Sequence, residues 1–206
     1  AAWQLARKGH DVTVYDDAAS IGGKLEQVIP RGRLPHELLE TELKRIQDIG
    51  VKFVTSCKVD AAKFAAIRAE EDAVIVAAGG HKSRFFNWEG KEKLTMGLDF
   101  LKKVNLGQQP KVGKHVVVIG GGNVAIDAAR VSLRCGSDGV TMVCLEPRDK
   151  MPASPEEIAE AEEEGTKITC GYGPKEFLSE NGHVTAVVLK KCTGLYNAEG
   201  RFAPTY

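Results

Sequence analysis

The residues of this chain best placed to do chemistry are a run of three glycines and one acid, and the chemistry is the binding of a phosphorylated nucleotide. Gly120, Gly121 and Gly122 follow an apolar, β-branched run, Val116 to Ile119, and precede small residues at Ala125, Ala128, Ala129 and Ser132, which recur at helical spacing. The spacing Gly120-x-Gly122-x-x-Ala125 suits a strand–turn–helix that holds a dinucleotide. Gly120 allows a tight turn, Gly122 lets a pyrophosphate approach the backbone, and Ala125 lets helix and strand pack closely. The N–H groups opening the helix, at Asn123 and Val124, then face the anion with the positive end of the helix dipole. A second strand, Val140 to Leu145, ends in Glu146, where a carboxylate can accept from a ribose 2′-hydroxyl. A glycine-rich turn without a ligand is the rival reading. The strand before, the helix after and the acid beyond it argue against that reading.

No other side chains form a catalytic or metal-binding constellation. The five cysteines, Cys57, Cys135, Cys144, Cys170 and Cys192, include no C-x-x-C pair. Neither a redox disulfide motif nor a local zinc or iron–sulfur ligand set is visible, and buried reduced thiols are expected. His81 follows a glycine pair and His115 opens a strand; neither has a partner that would make it an acid or base. No catalytic residue is assigned.

The elements that must position the glycine turn can be read outward from it. Upstream, Ala1 to Lys8 reads as a helix ending at Gly9, and Asp11 to Tyr15 as a strand ending at the acids Asp16 and Asp17. Helix, glycine, strand and acid make the second half of a βαβ unit. Its first strand and glycine turn are not in the sequence, so the natural protein is expected to extend further N-terminally. Pro30 and Pro35 exclude a regular helix between them. His36 to Ile49 is an amphipathic helix with Leu39, Leu43 and Ile46 on one face. A strand is expected at Val51 to Thr55, a helix at Ala61 to Glu70, a strand at Ala73 to Ala77 and a helix at Asp99 to Val104. Asn105 to Gly113 has linker composition.

Downstream, Ser154-Pro-Glu-Glu157 is a capping box with proline at the first helical position. The helix it opens carries six glutamates, read as a solvated face. A strand at Lys167 to Cys170 precedes two β runs, Lys175 to Leu178 and His183 to Lys190. Asn181-Gly182 between them is a hairpin signal. Asn197 to Gly200 is a second turn, and Arg201-Phe202 starts a further strand. A complete nucleotide domain needs later strands, so an extension is expected here too. The fold class is therefore α/β, with tandem three-layer Rossmann-like units, the second carrying a β-hairpin or meander. Residues 1–106 form the first unit and 107–206 the second.

Bulk properties narrow the partners. Of 206 residues, 43% are hydrophobic, and 28 basic residues balance 28 acidic ones. A formal charge of zero gives no attraction to nucleic acid or an anionic membrane. No apolar run approaches the ~18 residues of a membrane span, and the N-terminus lacks signal-peptide regions. A cytoplasmic location is expected.

Several motifs recur together in order: Val12-Thr-Val-Tyr-Asp16, Ile21-Gly-Gly-Lys-Leu25 with Ile29-Pro30 and Arg33-Leu-Pro35, Val74-Ile-Val-Ala-Ala-Gly-Gly80, and Asp99-Phe-Leu with Val104-Asn105. Val118 to Arg130, Met151-Pro-Ala-Ser154, Gly171-Tyr-Gly-Pro174 and Lys191-Cys-Thr193 complete the set. On these residues the chain resembles the FAD- and pyridine-nucleotide-dependent family of the glutamate synthase small subunit. That family has relatives in dihydropyrimidine dehydrogenase and in an NADH-dependent ferredoxin:NADP oxidoreductase.

The resemblance implies that residues 1–106 are a partial FAD-binding domain lacking its first strand and glycine loop. Residues 107–206 are then an NAD(P)-binding domain, C-terminally incomplete. It places FAD contacts at Asp16 (adenosine ribose), Gly22, Gly23 and Leu25 (flavin side), Arg33, Val59 (adenine, through its backbone), and Ala78 and Gly79. Ala78 stands where the family has threonine. The resemblance implies hydride transfer from NADH or NADPH to FAD, with electrons passing to iron–sulfur centres. Those centres would lie in segments outside this chain or in a partner, such as a large subunit of the glutamate synthase type. The chain alone is expected to be inactive. A nucleotide-binding module without turnover is the alternative. NADPH-using members carry arginines at the positions of Leu145 and Glu146. Here only Arg148 remains of the basic stretch, free to pair with Glu146 or to bind a diphosphate oxygen, so NADH is the expected donor.

Overall fold

A computed structural model describes residues 1–80 and 90–206; the histidine at position 81 falls outside the described residues. The chain divides into two compact units, Ala1–Lys82 and Ser83–Tyr206. Both are α/β with parallel sheets.

In the first unit, α1 (Ala2–Arg7) leads through Gly9, at φ +88°, into β1 (Thr13–Tyr15). A short α2 (Lys24–Gln27) and the amphipathic α3 (His36–Asp48) follow, then β2 (Lys52–Val54) and α4 (Ala61–Glu70). β1 and β2 pair in parallel, Thr13 opposite Lys52 through Tyr15 opposite Val54. Asp60 caps α4, accepting from the Lys63 N–H at 2.8 Å, as short polar side chains do at helix starts. The core is thin: Leu39 of α3, Val51, Cys57 and Ile67.

The strand expected at Ala73 to Ala77 is not formed. This stretch is coil, with Ile75 60% and Val76 74% exposed. A β-branched run becomes a strand only when its N–H and C=O groups meet a partner's. The sheet here has two strands, β1 and β2, and no described segment pairs with 73–77.

The second unit begins with α5 (Gly97–Asn105), then β3 (His115–Ile119), α6 (Asn123–Arg134), β4 (Gly139–Cys144), α7 (Pro155–Glu163) and β5 (Lys167–Cys170). Helices connect parallel strands in the order β3-β4-β5. Residues 106–113 are turn and coil, as their composition predicts. The division between units nevertheless falls at 82/83 and not at 106/107, because α5 packs on α6. A Cβ built on Gly97 would lie 3.7 Å from Val124 Cγ1 and 3.9 Å from Ala128 Cβ, and Phe100 and Leu101 are buried.

The main core is a layer between sheet and helices. Val140, Met142 and Cys144 alternate along β4 on the face that meets Ile126 and Ala129 of α6 and Ile158 and Ala161 of α7. Period-2 and period-3.6 patterns thus converge on one apolar layer. The glutamates of α7 are not simply solvated. Arg130 and Arg134, one turn apart on α6, reach Glu160 and Glu164, and Arg148 reaches Glu162. These exposed pairs are worth about 0.2–1 kcal/mol each; they align α7 more than they stabilise it.

β6 (Tyr172–Glu180) and β7 (His183–Lys191) form the expected hairpin. Asn181 and Gly182 both have positive φ, +51° and +80°, which matches the right-handed twist of the flanking strands. β8 (Gly194–Tyr196) and β9 (Phe202–Thr205) pair across the Asn197–Gly200 turn. Asn197 Oδ1 there accepts from the N–H groups of Glu199 and Arg201. No described helix is long and apolar enough to cross a membrane.

Met142 is fully buried at the centre of β4. Met142→Ala should destabilise the second unit by about 2–5 kcal/mol through lost transfer and a residual cavity, read from the urea midpoint. Burial pushes the Cys144 thiol up to about 12, with the neighbouring Cys170 adding to the effect. The native state then holds this proton more tightly than the unfolded state, whose thiol has a pKa of about 8.5. The contribution is intact below pH ~8.5 and is lost as pH rises toward 12. Between those limits the wild type should lose stability with pH more steeply than Cys144→Ala, in urea titrations run in parallel.

Candidate functional site

The glycine turn forms because three separate close approaches leave no room for side chains. Gly120 ends β3 at φ +137° and donates its N–H to Val143 C=O at 2.9 Å, extending the ladder by one bond. A Cβ on it would lie 3.4 Å from Ala125 Cβ, which is the close helix–strand packing read from the sequence. Gly122 is the N-cap of α6 at φ −95° and supplies no capping side chain. A Cβ on Gly122 would meet nothing within 4 Å, so this edge of the turn is open. Asn123 and Val124 follow it in the first turn of the helix. As first-turn amides their N–H groups have no acceptor within the helix, an arrangement that fits a pyrophosphate.

Sequence reasoning assigned no separate role to Gly121. It is buried, and a Cβ there would sit 2.9 Å from Cys144 Cβ and 3.1 Å from Glu146 Oε2. The turn lies directly against the end of β4, which brings the Glu146 carboxylate beside the glycine backbone. Glu146 is half-buried, just past the strand, and its carbonyl accepts from Gly171 N–H at 3.1 Å. The structure thus gathers Gly120, Gly121, Gly122, Asn123, Val124, Ala125 and Glu146 around one end of the sheet.

Arg148 is held differently from either sequence alternative. Its Nη2 donates to Glu162 Oε2 on α7 at 2.6 Å. Asn123 also has a role that its position in the motif did not reveal. Its Oδ1 accepts from Ser154 N–H at 3.0 Å, and its Nδ2 donates to Glu157 Oε1 at 3.4 Å. The capping box at Ser154 is therefore only half formed. Ser154 Oγ accepts from Glu157 N–H at 3.4 Å, but the return bond to Ser154 N–H comes from Asn123. Beneath the turn lie three sulfurs, with Cys144 Sγ 3.7 Å from Cys170 Sγ and Cys170 Sγ 3.8 Å from Met151 Sδ. Spacing along the chain could not show this, because Cys144 and Cys170 meet only through the β4–β5 register.

In the first unit, Asp16 stands at the end of β1. Its Oδ1 accepts from Ala18 N–H at 2.9 Å, and its carbonyl from Cys57 N–H at 2.8 Å. The segment leading to Val59 is thereby drawn to the same strand end. Gly22 and Gly23 adopt φ +115° and +56°, and a Cβ on Gly22 would meet Glu26 Cβ at 3.0 Å and Leu43 Cδ1 at 3.3 Å. Leu25 and Val59 are 46% and 38% exposed, and Arg33 is exposed. Ala78 and Gly79 lie in exposed coil beyond the unpaired 73–77 stretch. No group of three or more potential metal ligands exists among the described residues.

Gly121 and Gly122 make opposite demands on a substitution. Gly122→Ala should leave the melting temperature within about 2 °C of the parent, because its Cβ meets no protein atom, while weakening dinucleotide binding tenfold or more. Gly121→Ala should lower the melting temperature itself, because backbone-linked atoms of β4 must move. Thermal melts alongside calorimetric titration with NADH separate the two.

The sequence profile of the pyridine nucleotide-disulphide oxidoreductase family matches residues 1–200. The glutamate synthase [NADPH] small chain of Azospirillum brasilense is 32% identical over 99% of this chain and 45% of its own length. The NAD-dependent dihydropyrimidine dehydrogenase subunit PreT of Escherichia coli is 32% identical over 84% of this chain and 43% of its own. This chain spans between about a fifth and a half of the length of the curated relatives it matches. FprA of Mycobacterium tuberculosis, solved in complex with NADPH, shares the fold, with a TM-score of 0.78 at 16% identity over 99% of this chain and 63% of that one. This chain belongs to the pyridine nucleotide-disulphide oxidoreductase family.

Proposed function

We propose that this chain is the two-nucleotide part of a flavoprotein that takes hydride from NADH onto FAD. Electrons would then pass to an iron–sulfur acceptor, in another segment or in a large subunit of the glutamate synthase type. Residues 83–206 hold the nicotinamide nucleotide, and residues 1–82 contribute to the flavin site through Asp16, Gly22, Gly23, Leu25, Arg33, Val59, Ala78 and Gly79. Bound nicotinamide and flavin supply the redox chemistry themselves. The chain's own residues bind and orient. Gly122 and the first N–H groups of α6 meet the pyrophosphate, Glu146 accepts from the adenosine ribose hydroxyls, and Asp16 does the same for FAD.

The observation that carries the choice of NADH is the Glu146 carboxylate at the glycine turn. NADPH adds a 2′-phosphate with nearly two negative charges and no hydroxyl donor. Beside Glu146 it meets repulsion where NADH offers a hydrogen bond. The remaining cation of this stretch, Arg148, has its guanidinium engaged by Glu162 at 2.6 Å, which weakens its pull on a phosphate. A charged hydrogen bond is worth about 1.5–3 kcal/mol, and ~1.4 kcal/mol corresponds to tenfold in rate.

The complete protein should therefore favour NADH over NADPH at least tenfold in kcat/KM. Glu146→Arg should reverse or erase the preference, and Glu162→Gln should shift it toward NADPH by a smaller factor by releasing Arg148. Steady-state kinetics with both nucleotides decides. Equal or better use of NADPH by the wild type overturns the assignment.

A further inference from the structure

Glu157 and Ser154 lie more than thirty residues from the glycine turn in sequence, yet the turn is fastened to them. Ala153 N–H donates to Gly121 C=O at 3.0 Å. The next amide, Ser154 N–H, donates to Asn123 Oδ1 at 3.0 Å, and Asn123 Nδ2 donates to Glu157 Oε1 at 3.4 Å. Two consecutive N–H groups of the 151–154 segment thus grip the turn at its middle residue and at the first residue of α6. The segment is itself anchored, since Met151, Ala153 and Ile158 are all buried in the main core.

We propose that Asn123 is a positioning residue for the dinucleotide, acting through Ser154 and Glu157 and not by touching the ligand with its side chain. In a closed capping box the Glu157 carboxylate would take the Ser154 N–H itself. Here the amide of Asn123 is inserted into that box. Its oxygen takes the N–H, and its nitrogen returns a proton to the carboxylate. Only a side chain with an acceptor and a donor on one carbon can do both. The amide thereby ties the N-terminal end of α6 to that of α7. The open N–H groups after Gly122 are then fixed in direction before an anion arrives. A turn already in its bound conformation loses less entropy on binding, so removing the tie weakens affinity. The loss falls on binding more than on the hydride step.

This inference rests on the reading of the 120–125 turn as a nicotinamide-nucleotide site, and the experiment separates the two. Dissociation constants of the complete protein for NADH and for ADP-ribose are measured by calorimetry, beside kcat, KM and the melting temperature. ADP-ribose reports on the turn without the nicotinamide. Asn123→Asp is nearly isosteric but sets two carboxylates against each other; Asn123→Ala removes both bonds. Each should raise both dissociation constants about tenfold, and should raise KM by a larger factor than it lowers kcat. Glu157→Gln combined with Asn123→Asp restores a donor–acceptor pair in the opposite sense. That exchange should return both constants to within about threefold. A general loss of structure would lower the melting temperature without this reciprocal rescue. Wild-type affinity in Asn123→Ala, or a double variant no tighter than Asn123→Asp, overturns the inference alone. A wild-type protein that binds neither NADH nor ADP-ribose overturns the nucleotide-site reading beneath it.

Discussion

The close approach of α6 to the ends of β3 and β4 is the constraint on which the rest of the second unit depends. Backbone, helix and neighbouring strand meet within van der Waals distance at Gly120, Ala125, Gly121 and Cys144. Each glycine there answers a different neighbour, and only Gly122 faces open space. Because the contact is made by backbone and small side chains, it has little slack. Protein interiors pack at crystal-like density, so an added methyl must displace something. The same contact carries Glu146 to the turn and sets α6 over the apolar face of β4. The core layer and the candidate site are two sides of one packing event.

The two units differ in how well their apolar segments are partnered. In the second, three parallel strands satisfy one another, and α6 and α7 cover one face with Ile126, Ala129, Ile158 and Ala161. In the first, β1 has one ladder partner, β2, and the β-branched residues 74–76 remain exposed. Local propensity is as strong at Val74-Ile-Val76 as at Val116-Val-Val118. What differs is the hydrogen-bonding partner, and a strand without one is only an extended stretch.

Charge acts at the site through pairing more than through sum. The whole chain is formally neutral, yet around β4 and α7 the charges are sorted. Arg130 and Arg134 are engaged by Glu160 and Glu164, and Arg148 by Glu162. Glu146 is left beside the turn, its Oε2 3.1 Å from where a Cβ on Gly121 would stand. The glutamates of α7 and its C-cap Glu164 thus draw basic groups of the domain toward that helix.

Much of this was legible in the sequence because it depends on local pattern. The period of Val116 to Ile119, the spacing of Gly120, Gly122 and Ala125, the proline and serine that start α7, and Asn181-Gly182 each act within a few residues. Steric and hydrogen-bonding rules at that range have few solutions. The acid at Glu146 was legible for the same reason, since it ends the strand after the turn. What only the tertiary structure decided involves residues far apart in the chain. The β3–β4 register makes Gly121 obligatory against Cys144, and the β4–β5 register places Cys144 against Cys170. The packing of α6 beside α7 puts Asn123 into the capping box of Ser154 and Glu157, and takes Arg148 from Glu146 to Glu162. The lack of a ladder partner left 73–77 as coil, and the fit of Gly97 on Ala128 moved α5 into the second unit. In each case the sequence states which groups are present, but their partners are chosen by strand register and helix packing, which no window of neighbouring residues contains.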